Sequence, residues 1–334
     1  MAVPKQSWLD QVREEPIDPE MPICDPHHHL WDHADHQYLL DDLLADTKEH
    51  NVVSTVFVEC MSEYRKSGAE ALQPVGETEF VESVAQQSLD RPGNEMLVCA
   101  GIVGFANLLL GEEVEPVLAA HQEASPDRFR GIRHACGWDP SPEIRNSHTK
   151  PPGGLYLIPR FRDGLRCLAK LGLSFDSWLY FTQIPELAAL ARAVPDAPII
   201  MDHVAGPLGI GPYAKKKDEV FRQWKKAITE IAECDNVVVK LGGLQMPICG
   251  FEWHKRDTPP GSQELAKATA PYYAHCIEAF GVERCMFESN FPVDKQSCSY
   301  TVLWNAFKRF AADFTDAEKA MLFHDNAVRA YRID

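Results

Sequence analysis

The sequence lacks the features that place a protein in a membrane or on nucleic acid. No apolar run approaches the roughly 18 residues that a membrane-spanning helix needs, and residues 1–22 are acidic, where a signal or transit peptide would be basic. The net charge is −16, and Lys and Arg are scattered rather than clustered into a basic surface. We therefore expect neither nucleic acid nor a membrane as a partner.

Several chemical signatures are also missing. The ten cysteines include no CxxC pair and lie in apolar stretches, which predicts buried thiols in a reducing compartment. There is no GxSxG elbow, no HExxH helix and no Walker GxxxxGK[ST] loop. These absences favour a cytoplasmic protein that binds a small molecule, while a homo-oligomeric state is left open.

The chain is nevertheless long and apolar enough to bury a large core. It has 334 residues, 45% of them apolar and 25% charged, with no low-complexity tract and no linker that would divide it. Short apolar or β-branched runs recur along it, and each is followed by a segment with helical spacing. The eight predicted strands begin at Ile23, Val52, Met96, Phe129, Leu173, Ala197, Asn236 and Arg284. The predicted helices cover 77–89, 112–124, 161–171, 184–194, 219–232, 264–280, 300–312 and 316–331.

This strict alternation predicts an α/β fold. Eight β/α units in about 300 residues favour a closed (β/α)8 TIM barrel over an open doubly wound sheet. We predict an N-terminal arm over residues 1–22 and a single barrel domain over 23–334. The two long loops, 136–159 and 242–261, each follow a strand, so we expect them at the end of the barrel where active sites are built.

The first strand contains the run Asp25-Pro26-His27-His28-His29. Because side chains alternate along a strand, His27 and His29 point to the same side, which we expect to be the barrel mouth. Such a pair can bind a divalent metal or polarise a substrate carbonyl, and two ordinary core histidines are the alternative.

Later strands also end in polar residues, which are Glu59, Arg133, His134, Asp176, Asp202, His203, Lys240, Glu288, Ser289 and Asn290. Each has an ordinary explanation, such as an ion pair between Arg133 and Glu59. Together, however, so many polar groups at strand ends would be costly to bury unless they meet in a wet, functional cavity.

Five segments in order then resemble a known family. DPHHHLWD at 25–32, FRGIRH at 129–134, DHVAGP at 202–207, VVVKLGGL at 237–244 and MFESNFPVDK at 286–295 are similar to the amidohydrolase-related family of metal-dependent TIM-barrel hydrolases. The branch they resemble most holds L-fuconolactonase, L-rhamnonolactonase and 2-pyrone-4,6-dicarboxylate lactonase. The resemblance implies a hydrolase that opens a lactone of a small sugar acid or aromatic-derived carboxylic acid through an activated water.

By this resemblance, His27, His29 and His203 form the catalytic histidines and the metal ligands, with zinc as the expected ion. Asn290 stands where the family carries an aspartate that binds metal and accepts the proton of the attacking water. A neutral amide cannot be that base. Asp294, Glu288, His203 and His134 remain as candidate bases, and activity without a metal remains an alternative.

For the substrate, Arg133 and Lys240 are expected to hold a carboxylate or polarise the carbonyl, because arginine suits bidentate carboxylate recognition. We also assign Glu59, His134 and the loop residue Tyr156 to substrate binding. Two other functions stay open. One is non-oxidative decarboxylation, which shares this superfamily pattern, and the other is a barrel that binds a ligand without chemistry.

Overall fold

The computed structural model describes residues 6–33 and 36–333 of the chain. Its centre is a sheet of eight parallel strands, in which each strand pairs with the next along the chain. The strands are β1 Ile23–His28, β2 Val52–Val58, β3 Leu97–Gly104, β4 Phe129–Arg133, β5 Ser174–Ser177, β6 Ile199–Met201, β7 Val237–Leu241 and β8 Cys285–Phe287. A short antiparallel hairpin, Trp31–His33 with His36–Tyr38, follows β1.

The sheet curls into a nearly closed barrel, because the segment after β8 returns to β1. The backbone N–H of Asn290 donates to the carbonyl of His27 at 2.9 Å, and the backbone N–H of His29 donates to the carbonyl of Phe291 at 2.8 Å. The buried Asp25 carboxylate strengthens this seam by accepting the backbone N–H of Ser289 at 3.0 Å. The predicted TIM barrel is therefore confirmed.

Eleven α-helices surround the barrel in the described part of the chain. They are α1 Gln6–Leu9, α2 Leu40–Thr47, α3 Val75–Leu89, α4 Glu115–Ala124, α5 Pro159–Lys170, α6 Ile184–Ala193, α7 Lys217–Ile231, α8 Ser262–Phe280, α9 Tyr300–Phe310, α10 Asp316–Ala320 and α11 Asn326–Tyr331. None of the helices among these residues is long and apolar enough to span a bilayer. The predicted helix over 316–331 is interrupted by a π-helical turn, Met321–Asp325.

The outer core lies between the strands and the helices, and a second apolar cluster fills the lower part of the barrel. We call this second cluster the barrel floor. It consists of Cys24, Val56, Val58, Val103, Ile200 and Met286 from the strands, closed from below by Ala327, Tyr331 and Ile333. The C-terminal helix α11 therefore closes the amino-terminal end of the barrel, and the polar residues at the strand ends lie at the opposite, carboxyl-terminal end.

Candidate active site

Charged side chains occupy the next inward-facing position above the barrel floor. On β6 the inward residue Ile200 is followed two residues later by Asp202, and on β8 Met286 is followed by Glu288. The side chains that meet there are His27, His29, Glu59, Arg133, Asp176, Asp202, His203, Lys240, Glu288, Asn290 and Asp294, and we call them the polar layer. All of them are buried, with at most 7% of any residue exposed.

Lys240 is fully buried among carboxylates. Its Nζ donates to Asp176 Oδ2 at 2.8 Å and lies 2.9 Å from Asp202 Oδ1. Burial acts to lower the pKa of Lys240, but Asp176, Asp202 and then Glu288 outweigh it and hold that pKa above its ordinary value. Lys240 is thus a permanent cation whose protons are already engaged by the protein.

Glu288 is a buried anion between two histidines. Its Oε1 accepts hydrogen bonds from His203 Nδ1 at 2.6 Å and from the His203 backbone N–H at 3.0 Å. Its other oxygen, Oε2, lies 3.0 Å from His27 Nδ1 without an aligned hydrogen bond. Burial acts to raise the pKa of Glu288, but His203 and His27 outweigh it and hold the pKa at about 2. The carboxylate therefore fixes the orientation of both rings.

The contacts of His27 indicate which nitrogen carries its proton. Arg133 Nη1 faces His27 Nε2 at 3.3 Å, and an arginine can only donate. The opposite nitrogen, Nδ1, faces Glu288 at 3.0 Å and Asp202 at 3.5 Å. We therefore assign the proton to Nδ1, although Lys240 Nζ also lies 3.0 Å from that atom. Burial, followed by Lys240, lowers the pKa of His27 well below its usual value, so the ring is neutral.

The backbone around His203 follows an unusual path that brings it to Glu288. His203, Val204 and Ala205 all have positive φ, at 56°, 46° and 59°. Such conformations are strained for residues with side chains and persist only where the surroundings enforce them. The buried indole of Trp224 donates to the Val204 carbonyl at 2.7 Å and ties this turn to α7.

Two glycines after β7 make room for this arrangement. A Cβ on Gly242 would lie 2.4 Å from Glu288 Cγ, and a Cβ on Gly243 would lie 2.5 Å from His203 Cβ. Any larger residue at either position would push the carboxylate or the imidazole away. The LGGL sequence is therefore a packing requirement of the site.

His29 and Asn290 meet at the closing seam of the barrel. His29 Nδ1 donates to the Val58 carbonyl at 2.7 Å, which leaves Nε2 as an acceptor 3.3 Å from Asn290 Oδ1. Burial, and then Arg133, lower the pKa of His29 to about 3, so the ring is neutral and two acceptor atoms face each other. A proton donor or a cation bound by both atoms would relieve this repulsion.

Asp294 lies beside Asn290, within the polar layer. The side-chain amide nitrogen of Asn290 donates to Asp294 Oδ1 at 2.9 Å, so the side chain of Asp294 folds back to contact Asn290. Burial, with Glu288 as the second cause, raises the pKa of Asp294 well above its ordinary value. The pKa values of Asp294 and Glu288 are therefore shifted in opposite directions.

Arg133 is held by Glu59. Arg133 Nε donates to Glu59 Oε1 at 2.8 Å, and Nη2 donates to the Glu59 backbone carbonyl. On the other side of Glu59, His148 Nε2 lies 3.2 Å from Oε2. Burial acts to raise the pKa of Glu59, but Arg133 and His148 outweigh it and hold the pKa at about 2. His148 was absent from our sequence analysis, because nothing in the sequence connects a loop residue to a strand end 89 positions earlier.

Two expected substrate-binding residues lie outside the polar layer. His134 follows Arg133 and so points to the opposite face of β4, where its Nδ1 accepts the Leu108 N–H at 3.3 Å and its ring packs on Phe161. Tyr156 is fully buried, and its hydroxyl lies 2.7 Å from Ser177 Oγ. The structure brings neither of them to the other site residues, and the alternation of side chains along β4 was the signal for His134.

The composition of the polar layer fits a divalent cation. The metal-binding atoms of His27, His203 and Glu288 lie within 4.8 Å of one another. The Nδ1 atoms of His27, His29 and His203 each lie against a protein oxygen, which leaves the Nε2 atoms of the three rings as the possible ligand atoms, with Arg133 Nη1 3.3 Å from that of His27. In addition, the four carboxylates Glu59, Asp176, Asp202 and Glu288 face only two permanent cations, Arg133 and Lys240, so a divalent ion would balance the charge.

Comparisons with known proteins match nearly the whole length of the chain. The amidohydrolase family model matches residues 24–333. The uncharacterized protein y4mH of Sinorhizobium fredii is 33% identical over 94% of this chain and 99% of its own length. L-rhamnono-gamma-lactonase of Scheffersomyces stipitis is 22% identical over 93% of this chain and 98% of its own. A crystal structure of an amidohydrolase from Burkholderia multivorans with bound zinc superposes with a TM-score of 0.71 at 20% identity, covering 93% and 99% of the two chains.

Proposed function

The chain belongs to the amidohydrolase family, and from this premise we propose that it is a hydrolase that opens the lactone ring of a small sugar acid or an aromatic-derived carboxylic acid. The observation that carries the proposal is the pair of imidazoles, His27 and His203, oriented by the buried carboxylate of Glu288. The similarity to L-rhamnono-gamma-lactonase along nearly the whole chain supports a lactone as substrate.

In this proposal His27, His29 and His203 would hold one divalent cation, and Glu288 would orient the rings of His27 and His203. When bound, such an ion polarises a carbonyl oxygen and lowers the pKa of water. Zinc is the ion we favour, because imidazole nitrogens are among its usual ligands and because the Burkholderia multivorans amidohydrolase binds zinc. The neutral rings of His27 and His29 have their Nδ1 atoms turned toward the protein, so their Nε2 atoms have no proton to donate to a substrate carbonyl. This disfavours catalysis by the histidines alone.

We assign the general base to Asp294. Both oxygens of Glu288 face the histidines that they orient, whereas Asp294 Oδ2 has no hydrogen-bond partner among the described residues, so Asp294 is the carboxylate left to accept a proton from water. Asn290 positions this base, because its amide nitrogen donates to Asp294 Oδ1. Arg133 is paired with Glu59, and Lys240 is paired with Asp176 and Asp202. We therefore assign these two cations to stabilising the site rather than to direct contact with the substrate.

The test combines metal analysis with a substrate screen. Protein purified without added metal or chelator is analysed for bound metal, and sugar-acid and aromatic-acid lactones are screened with a pH indicator before and after chelation. We expect about one divalent ion per chain and lactone opening that chelation abolishes and zinc restores. Asp294→Asn should lower kcat by about 100-fold or more while the metal content is unchanged.

Other outcomes would contradict the proposal. Release of carbon dioxide from an aromatic acid, with no lactone opened, would make the protein a decarboxylase. Tight binding of a lactone without turnover would make it a ligand-binding barrel. Full activity of metal-free protein would reject the metal assignment and return carbonyl polarisation to the protein's own side chains.

A further inference from the structure

His148 is the one partly exposed imidazole in contact with the polar layer among the residues that the structure describes. Its Nε2 lies 3.2 Å from Glu59 Oε2, and 26% of its side chain is exposed, whereas the Glu59 side chain is completely buried. Both atoms of this contact are buried and neither has another hydrogen-bond partner within the described ranges. The carboxylate therefore holds one nitrogen of the ring, and the accessible part of the ring carries the other.

The loop fixes His148 at this position from both sides. The preceding residue, Ser147, donates its backbone N–H to the Gly137 carbonyl at 2.8 Å. The following residue, Thr149, donates its hydroxyl to the Ala135 carbonyl. The edge of Phe105 packs against the His148 ring, with the centroids 6.5 Å apart. Because the segment 135–137 directly follows β4, these ties place His148 at the carboxyl end of the barrel, where the polar layer opens.

Short contacts connect His148 to the histidines of the site. Glu59 bridges His148 and Arg133, with 3.2 Å to the imidazole and 2.8 Å to the guanidinium. Arg133 in turn lies 3.3 Å from His27 Nε2. A ring whose one nitrogen faces a fixed carboxylate has a defined orientation, and its second nitrogen can exchange a proton with a bound molecule.

Lactone opening needs such a group. Water adds to the acyl carbon, and the bond between that carbon and the ring oxygen then breaks, so the ring oxygen leaves as an alkoxide unless it is protonated. An alkoxide is a poor leaving group in water at neutral pH, and a positioned acid that supplies the proton typically accelerates such a step by 10²–10⁴-fold. The base assigned above serves the water, so the leaving oxygen still needs a donor.

We propose that His148 is the general acid that protonates the leaving ring oxygen, with Glu59 as the residue that orients it; this rests on the lactonase activity proposed above. The step is balanced as follows. Water gives its hydroxyl to the acyl carbon and its proton to Asp294. The electron pair of the broken carbon–oxygen bond goes to the ring oxygen, which takes a proton from the His148 imidazolium. Proton exchange with solvent then restores both residues, and the product is the hydroxy acid.

A comparison of leaving groups tests this role. The wild-type protein and His148→Gln are assayed on L-rhamnono-γ-lactone, or on the lactone of the screen that the wild type opens fastest, and on 4-nitrophenyl acetate. The nitrophenolate leaves without a proton, whereas the alkoxide of a lactone needs one. We expect kcat/KM for the lactone to fall by about 100-fold and that for the nitrophenyl ester to change by less than about threefold.

His324→Gln is the matched control. His324 has a similar exposure, 28% of its side chain, and a similar partner, because its Nδ1 lies 2.8 Å from Asp325 Oδ1, but it lies on the π-helical turn before α11, outside the polar layer. We expect this variant to behave like the wild type on both substrates. A second measurement distinguishes loss of the imidazole from misfolding of the loop. Exogenous imidazole should partly restore lactone opening to His148→Ala, which a misfolded loop would not allow.

The outcomes separate the two proposals. Equal losses on both substrates, or unchanged lactone opening in His148→Gln, would reject the role of His148 while leaving the lactonase standing. Failure of the wild-type protein to open any lactone would reject the proposed function itself, and the acid role with it.

Discussion

Two successive layers of side chains inside the barrel come from the same strands, but one layer is apolar and the other is charged. Ile200, Val238 and Met286 lie at or against the apolar floor, and the next inward residues on the same strands are Asp202, Lys240 and Glu288. A step of two residues, about 6.5 Å along a strand, thus changes a dry core into a charged cluster. The comparison shows that this barrel obtains its stability and its chemistry from different registers of the same strands.

The two layers also differ in what a substitution should do. In the floor, the apolar side chains of the strands contribute by burial alone, so a change of similar volume is tolerated. In the polar layer, each charge is buried with a partner, so removing one member leaves another without compensation. Variants matched across the two layers therefore test whether this difference holds.

The largest effect is expected for Lys240→Met. The substitution leaves Asp176 and Asp202 buried without their cation, and breaking such a pair typically costs about 3–5 kcal/mol. Lys308→Met is the matched control. Lys308 is also buried, but its Nζ donates to the carbonyls of Ile17 and Asp18, lies 3.0 Å from His50 Nδ1, and forms no ion pair with a carboxylate in the described part of the chain. Denaturant unfolding measures both. Equal losses would show that charge pairing does not distinguish the polar layer.

The next largest effect is expected on kcat, in a comparison of Glu288→Gln with Met286→Leu. Both are conservative changes on β8 or directly after it. Glu288→Gln removes the charge that orients His203 and His27, so we expect kcat to fall by about 100-fold or more and metal affinity by about 10–100-fold. Met286→Leu should cost less than about 1.5 kcal/mol and leave kcat unchanged. Steady-state kinetics and metal titration measure the difference. Comparable kinetics in the two variants would contradict the role of Glu288.

Most of the fold could be predicted from the sequence. The eight predicted strand starts lie within two residues of the observed ones, for example Met96 against Leu97 and Ala197 against Ile199. The reason is local, since an apolar run bounded by turn residues marks a buried parallel strand without any tertiary information. Helix α2 and the hairpin after β1 were missed, because they are short and their signal is weaker.

The site was only partly predictable. Strand parity places Lys240 and Glu288 inside the barrel, because they lie two residues after Val238 and Met286. It does not place His27, because β1 has an irregular register between Asp25 and His28. The same rule would have excluded His134, which directly follows Arg133. The side chains that contact these residues could not be predicted, because the contact between Glu59 and His148 depends on how a long loop returns to the barrel. The N-terminal arm of residues 1–22 and the single domain of 23–334 remain predictions.

The smallest effect is expected where the two layers meet. Tyr331, which closes the floor, donates its hydroxyl hydrogen bond to Asp176 in the polar layer. Burial raises the pKa of Asp176 to about 6, against the opposing effect of Lys240. A carboxyl with a raised folded-state pKa stabilises the protein most below its unfolded pKa, near 3.9, and that contribution is lost as the pH rises through about 6.

Tyr331→Phe should therefore have a cost that depends on pH in a defined direction. The hydroxyl stabilises the ionised carboxylate, so its removal should raise the pKa of Asp176 further and cost about 1 kcal/mol at pH 8, but less at pH 5, where Asp176 is largely protonated. Denaturant unfolding at the two pH values measures the difference. In an Asp176→Asn background the pH dependence should disappear. If it persists there, or if the cost is larger at pH 5, the floor is not coupled to the polar layer through this hydrogen bond.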